Sequence, residues 1–401
     1  MPSMFGDLRP LPPDAILGLF EEFQADPRPE KVSLASGVYV DETGITPILE
    51  TVRLAEARIL AEETTKVYKP IAGDPAYTHV VKELIFGPGH TALRDGRVET
   101  LHTPGGTGAL RVAADLIRRI RPDATVWLSA PTWPNHPQIL AAVGLPSRTY
   151  PYVDDRAGGL EVEPMLEALG AATPGDVVLL HACCHNPTGI DPRPEQWTAI
   201  AERIEQLGLL PLVDFAYQGL GEGLRADAVA LTALAGPDRE LLVASSFSKN
   251  FALYDERVGA LSLVGATAED AATLLTHAKF VVRSNYSNPP AHGGEIVAMV
   301  LTHPELRGAW EGEVTAMRQR IDRNRRSFVA GLEAAGAKGD HRGLLRQRGM
   351  FSLLGLSAEQ VARLRSEFAV YVVGAGRVNV AGLTRSNIDR VCDAIAAVLR
   401  D

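Results

Sequence analysis

Five short apolar runs through the middle of the chain constrain its fold more than any other feature. They cover residues 125–129, 177–181, 209–214, 241–245 and 259–264. Each is too short for a helix and rich in branched side chains, so each reads as a strand. Between some of them lie helical patterns, such as 195–207, with apolar residues at three- and four-residue spacing. Strands apolar on both faces and separated by helices imply a mostly parallel sheet covered on both sides. In such sheets ligands bind outside the carboxyl ends of the strands.

The last third of the chain is patterned differently. Residues 305–335 read as one long helix rich in Arg and Glu. Short strands at 350–354, 370–373 and 378–380 follow, then an amphipathic helix over 386–399. This predicts a smaller α+β domain beside an α/β domain. The division expected is 1–45 for an N-terminal arm and part of the small domain, 46–309 for the large domain and 310–401 for the small one. The arm is Pro-rich with little periodicity, and it either crosses to a partner subunit or packs on the C-terminal lobe.

The sequence of 401 residues has room for both units and a substantial core. A net charge of −9 without a basic stripe argues against a nucleic-acid partner. No stretch is long and apolar enough to span a membrane, and the first seven residues lack a basic-then-apolar leader. Three cysteines, two of them adjacent, form no disulfide framework. The expectation is a cytoplasmic protein.

Several segments carry chemistry. Lys249 sits among Ser245, Ser246 and Ser248, with Arg257 just downstream. Hydroxyls and a guanidinium suit a phosphate, and an amine beside them suits condensation with a phosphate-bearing aldehyde. Phe247, Phe251 and Val258 are expected to wall the amine and lower its pKa. Alone, the segment also fits a surface lysine beside serines. Pro104-Gly105-Gly106-Thr107-Gly108 runs into a helical pattern, where bare backbone amides and the helix dipole favour a phosphate. Asn186, in His185-Asn186-Pro187-Thr188-Gly189, follows a strand and reaches the binding edge. Asp214 ends an apolar run, where a carboxylate is costly unless a cation meets it. A pyridinium nitrogen is one such cation, and Tyr217 reaches the same ring from the side. Arg377 follows flexible glycines and Arg283 heads a polar turn, so both suit capture of a carboxylate. His181, Cys183, Cys184 and His185 suggest zinc, but strand alternation points them to opposite faces, so no metal is expected.

Together these segments resemble the class I aminotransferases of fold type I, in particular the aspartate and aromatic amino-acid branch. The resemblance is nearly collinear, from Ser36-Gly37-Val38-Tyr39 through Pro131-Thr132-Trp133-Pro134-Asn135-His136 to Arg377-Val378-Asn379-Val380. It implies pyridoxal 5′-phosphate carried by Lys249, with Asp214 pairing the ring nitrogen and His136 behind it. Asn186 and Tyr217 meet the ring hydroxyl and Trp133 stacks on the ring. Gly105, Gly106, Thr107, Ser246 and Arg257 hold the phosphate. Arg377, assisted by Asn186, takes the substrate α-carboxylate, and Gly37 lies against the substrate. The resemblance also implies a homodimer with shared sites. Tyr68 then reaches the neighbour's phosphate, and Arg283 meets a side-chain carboxylate there. The implied partners are an amino acid and a 2-oxo acid, with an acidic or aromatic donor and 2-oxoglutarate as acceptor. A lyase of the same fold, or a transaminase of a specialised pathway, is the alternative.

Substrate choice departs from the acidic-specific pattern. Val40 and Val67 stand where aspartate-specific relatives tend to carry Lys and Asn, whereas Thr46, Thr107 and Asn288 follow the aspartate pattern. The mixture implies an enzyme for both acidic and aromatic amino acids. Ser36 replaces the usual branched residue before Gly37, and nothing in the sequence explains it.

Overall fold

The computed structural model describes residue 5, residues 8–11, residues 17–153 and residues 159–400. Apart from Phe5, the segment read for a leader lies outside the described residues. Among the described residues no helix is long and apolar enough to cross a membrane.

A seven-stranded sheet organises the larger part. Its strands are β2 (Val98–Pro104), β3 (Val126–Ala130), β4 (Ser147–Pro151), β5 (Val177–His181), β6 (Leu210–Phe215), β7 (Leu241–Ser246) and β8 (Val258–Val264), with β1 (Val32–Ser33) elsewhere. The order is β2-β8-β7-β6-β5-β3-β4. Only β8 runs against the rest, antiparallel to both β2 and β7. The five apolar runs are β3, β5, β6, β7 and β8, with ends within a residue of expectation. The β6 strand continues one residue past Asp214, to Phe215.

Both faces of the sheet are buried, as the runs require. Leu179, Leu212 and Leu242 pack on one side, in a core shared with the helix Gly105–Ile120. Leu180, Val213 and Val243 pack on the other. Truncating any of these leucines to alanine costs about 2–5 kcal/mol, because the close-packed layers cannot collapse into the void.

Register brings the chemistry to one edge. His181 pairs with Asp214, Phe215 with Ser245, Ser246 with Gly259, and Pro104 with Val258. The carboxyl ends of β2, β5, β6 and β7 therefore stand in one row, and the Lys249 turn leaves from the same row.

The second group of elements is smaller. A 31-residue helix, Pro304–Ala334, runs into it. Strands β9 (Phe351–Leu353) and β11 (Arg377–Asn379) pair antiparallel, and β10 (Val370–Tyr371) pairs in parallel with β1. The N-terminal segment thus packs on this lobe. It also contains a helix, Leu17–Ala25, where its sequence gave no periodic signal. Asn379 Nδ2 donates to the carbonyls of Ser36 and Val38, both at 2.7 Å, and so holds Gly37 against the lobe.

Candidate active site

A cavity of about 350 Å³ opens at the carboxyl edge of the sheet. Lys249, Asp214, Tyr217, Asn186, Trp133, Ser246, Arg257, Gly106, Thr107, Gly37 and Arg377 all line it. Residues spread over 340 positions of sequence thus converge on one space of ligand size.

The acid is built from behind. Asp214 is 7 % exposed, and His136 Nε2 lies 3.1 Å from its Oδ2. Thr132 Oγ1 shares a 2.8 Å hydrogen bond with His136 Nδ1, which fixes the ring. Burial alone would raise the Asp214 carboxyl. The hydrogen bond and charge of His136, with the charges of His181 and Lys249, hold it below its ordinary value. Asp214 is therefore a carboxylate ready for a cation from the cavity.

The amine is desolvated. Burial, joined by the charges of Arg257 and Arg377, lowers the Lys249 ammonium to about 8 against the opposing pull of Asp214. The wall differs from the one expected. Phe247 and Phe251 pack edge to face at 5.6 Å, and Phe251 stacks on Trp310 at 4.5 Å, in the core behind the turn. The ring that meets the lysine Nζ is Tyr217, at 4.7 Å.

The phosphate segment forms a cradle. Gly105 has φ +70°, and a Cβ added there would lie 2.6 Å from Arg257 Nη2. A Cβ on Gly106 would come to 3.1 Å from the Ser246 Cβ. Bare backbone is needed for Arg257 and Ser246 to close on the first turn of the helix Gly105–Ile120. Arg257 is itself held at φ +55°, a conformation that costs a non-glycine residue about 1 kcal/mol or more and points to a functional constraint. Ser248, one of the hydroxyls beside Lys249 in the sequence, accepts from Arg257 Nη1 at 3.3 Å and orients it.

Arg377 opens β11 and is 3 % exposed. Its Nη1 donates to Asn186 Oδ1 at 3.1 Å and its Nη2 to the Ala35 carbonyl at 2.6 Å. The guanidinium lies 4.2 Å from the Phe351 ring centroid, and among the described residues its Nε has no partner. Asn186 Nδ2 in turn reaches the Tyr217 hydroxyl at 3.4 Å. Among the described residues, neither Arg257 nor Arg377 has a carboxylate within 4.0 Å. Two guanidiniums thus face one cavity, each with capacity for an anion. Phosphate at one corner and carboxylate at the other fit that donor set.

Tyr68 and Arg283 stand apart from this cavity. Tyr68 is 88 % exposed, and with Val67, Arg283 and Asn288 it lines a separate open cleft. Ser287 Oγ pairs with Arg283, and Asn288 Nδ2 donates to the Lys69 carbonyl at 2.7 Å. The side chains suspected of binding zinc separate as well. His181 lies with His136 and Asp214, whereas Cys183 and Cys184 lie with Asp227. The reason differs from strand alternation, because β5 ends at His181 and the rings of His181 and His185 meet at 4.2 Å.

Comparison with known proteins gives the same reading. Residues 29–395 match the model of the family described as aminotransferase class I and II. The chain belongs to that family. The aspartate aminotransferase of Salmonella typhi is 51 % identical over 396 residues, 99 % of this chain and 100 % of that one. The aromatic-amino-acid aminotransferase of Pseudomonas aeruginosa is 47 % identical over the full length of both chains. The crystal structure of an aromatic-amino-acid aminotransferase from Burkholderia pseudomallei, covalently bound to pyridoxal phosphate, superposes with a TM-score of 0.96. It is 46 % identical, over 99 % of this chain and 100 % of that one. The protein is an aminotransferase of fold type I that works with pyridoxal 5′-phosphate.

Proposed function

We propose that the enzyme moves the amino group between an acidic or aromatic L-amino acid and 2-oxoglutarate, in two half-reactions at one site. The observation that carries this reading is the convergence of Lys249, Asp214 and Arg377 on one cavity, with the amine lowered to about 8. Bound pyridoxal phosphate supplies an electron sink that stabilises the charge left when an α-proton departs. The remaining work falls to the chain itself. Gly105, Gly106, Thr107, Ser246 and Arg257 hold the phosphate, and Trp133 covers the ring. Asp214, steadied by His136, keeps a negative charge against the ring nitrogen, while Asn186 and Tyr217 hold the ring oxygen. Arg377 and Asn186 bind the substrate α-carboxylate, with Gly37 leaving space beside it. The Lys249 amine, when free, would take the proton from the substrate α-carbon, hold it as the ammonium and redeliver it within the cavity, acting as base and then as acid.

Tyr68 and Arg283 act in the site of a second copy. Their exposure supports this, as does the run of exposed apolar side chains that includes Ile45, Ile48, Leu60 and Val67. Arg283 pairs with a side-chain carboxylate, or swings aside for a ring. Val67 beside it supports the second option, and the two relatives named for aspartate and for aromatic amino acids bracket the same choice. The two lobes divide inside the helix Pro304–Ala334, near residue 310. The described cysteines are buried and unpaired, which supports a reducing cytoplasm.

The test is a donor panel of aspartate, tyrosine, phenylalanine and tryptophan with 2-oxoglutarate. Turnover of both aspartate and phenylalanine is expected. Turnover of one class alone would overturn the dual reading. Continuous product release without an acceptor would instead favour a lyase.

A further inference from the structure

The turn that presents Asn186 is closed by a single carboxylate. Cys184 N donates to Asp191 Oδ2 at 2.7 Å, and His185 N donates to Asp191 Oδ1 at 2.9 Å. Each oxygen takes one amide, so the side chain ties the end of the turn to its beginning. Cys184 is held at φ +52°, in the left-handed region that a residue with a Cβ adopts only under constraint. Inside the turn, Gly189 N donates to the His185 carbonyl at 2.6 Å, and Thr188 Oγ1 lies 2.9 Å from His185 Nδ1. The His185 ring stacks on Tyr152 at 3.9 Å. The residues flanking Asn186 are thus fixed, while Asn186 itself reaches out to Arg377 and Tyr217.

Asp191 is held there at a cost. Burial pushes its carboxyl up to about 6, although the amides of His185 and Cys184 pull it down. Both oxygens are engaged by backbone amides, and Asp191 does not line the active-site cavity. A carboxylate kept in that position acts through the turn it closes.

We propose that Asp191 is a positioning residue for Asn186. By holding the Cys184 and His185 amides, it fixes where the Asn186 amide meets Arg377 and Tyr217, and so sets the affinity for the substrate α-carboxylate. This rests on the reading of Arg377 as the carboxylate clamp.

A second amide-holding carboxylate provides the control. Asp176 accepts from Thr125 N at 2.9 Å and Thr173 N at 3.0 Å, at the opposite edge of the sheet. The experiment compares wild type, Asp191→Ala, Asp191→Asn, Asp176→Asn and Arg377→Lys, all as cofactor-loaded enzyme. The probe is 3-phenylpropionate, a carboxylate that cannot react, titrated against the visible absorption of the cofactor. Kinetic constants and melting temperature are measured in parallel. Asp191→Ala is expected to weaken probe binding and raise KM by about tenfold or more, with a smaller fall in kcat. Asp191→Asn, which keeps one acceptor oxygen, is expected to fall between. Asp176→Asn is expected to lower the melting temperature and leave probe binding unchanged.

Unchanged probe binding in Asp191→Ala would overturn the proposal, and so would equal weakening in Asp176→Asn. If the alanine variant does not fold, the asparagine variant decides on the same criterion. Arg377→Lys separates the two levels. If it binds the probe as well as wild type, the clamp reading fails, independently of Asp191.

Discussion

The two arginines assigned to substrate carboxylates occupy opposite environments. Arg377 is 3 % exposed, bonded to Asn186 and the Ala35 carbonyl, and lies beside the Phe351 ring. Arg283 is exposed in the last turn of the helix Ala268–Asn285, paired only with the neighbouring Ser287 hydroxyl in the contacts described. One corner is completed within the chain, and every donor presents the group it binds. The other is open, beside Val67 and Asn288, and on the proposed reading it becomes a site only against a second copy. The difference teaches that chemistry and substrate choice are built separately. On the proposed reading a buried interior holds the common carboxylate and the reacting amine, while an exposed rim is left to vary with the donor.

The strongest way to break this division is to remove the interior amine. Lys249→Ala is expected to cut transamination by about 10⁴-fold or more on every donor, since both proton transfers lose their carrier. Mixing it with Arg283→Leu under conditions that exchange subunits is expected to restore activity toward aspartate. A hybrid holds one site with its own Lys249 and the other copy's Arg283. No recovery in hybrids shown to have formed would put both residues in the same subunit's site.

Desolvation of the interior gives a prediction that the rim does not share. Lys249 falls from an ordinary 10.5 to about 8 in the fold, so between those values the unfolded chain binds the extra proton. Stability of the cofactor-free protein should therefore rise from pH 8 to 10.5 relative to Lys249→Met, by about 3 kcal/mol in total. Below pH 8 the difference should be flat. Denaturant unfolding of both proteins across this range measures it, and parallel curves would show that the amine is not desolvated.

Much of this layout is readable in the sequence, for reasons that particular elements make plain. The strands β5, β6, β7 and β8 are buried on both faces, so apolar runs mark them. The strand β4 escapes because it lies at the sheet edge with three of its five residues exposed. The strand β2 mixes Glu, Thr and His into its run, since its partners leave polar groups satisfied, as in the Thr100–Ser262 hydroxyl pair. The site residues were legible where side-chain type declares the chemistry, as at Lys249 and Asp214. Phe351 and Asp191 are not, because one meets the Arg377 guanidinium only with its ring and the other meets backbone amides. The only available signal for Asp191 was a carboxylate placed just after the Asn186 turn. Likewise Phe247 and Phe251 flank Lys249 in sequence, yet the turn sends them to the core and brings Tyr217 to the amine.

Substitution at the interior corner should act on all donors alike. Arg377→Lys keeps the charge but loses the planar fork that Asn186 and Ala35 hold in place. A loss of about 10²-fold in kcat/KM is expected for aspartate and phenylalanine equally, corresponding to about 3 kcal/mol of charge-assisted hydrogen bonding. A loss confined to one donor would move Arg377 from the common carboxylate to the side chain.

The rim should behave in the opposite way. Arg283→Leu removes a charge that only an acidic side chain uses, and puts an apolar group beside Val67 and Tyr68 in the same cleft. The kcat/KM for aspartate is expected to fall about tenfold or more, because a carboxylate then enters without a counter-charge. Phenylalanine should lose little, or gain, since its ring has no charge to pair and no guanidinium left to displace. Paired kinetics on the two donors in one preparation decide the point. Equal losses would make Arg283 a structural residue of the rim and leave the selection of acidic donors to another group.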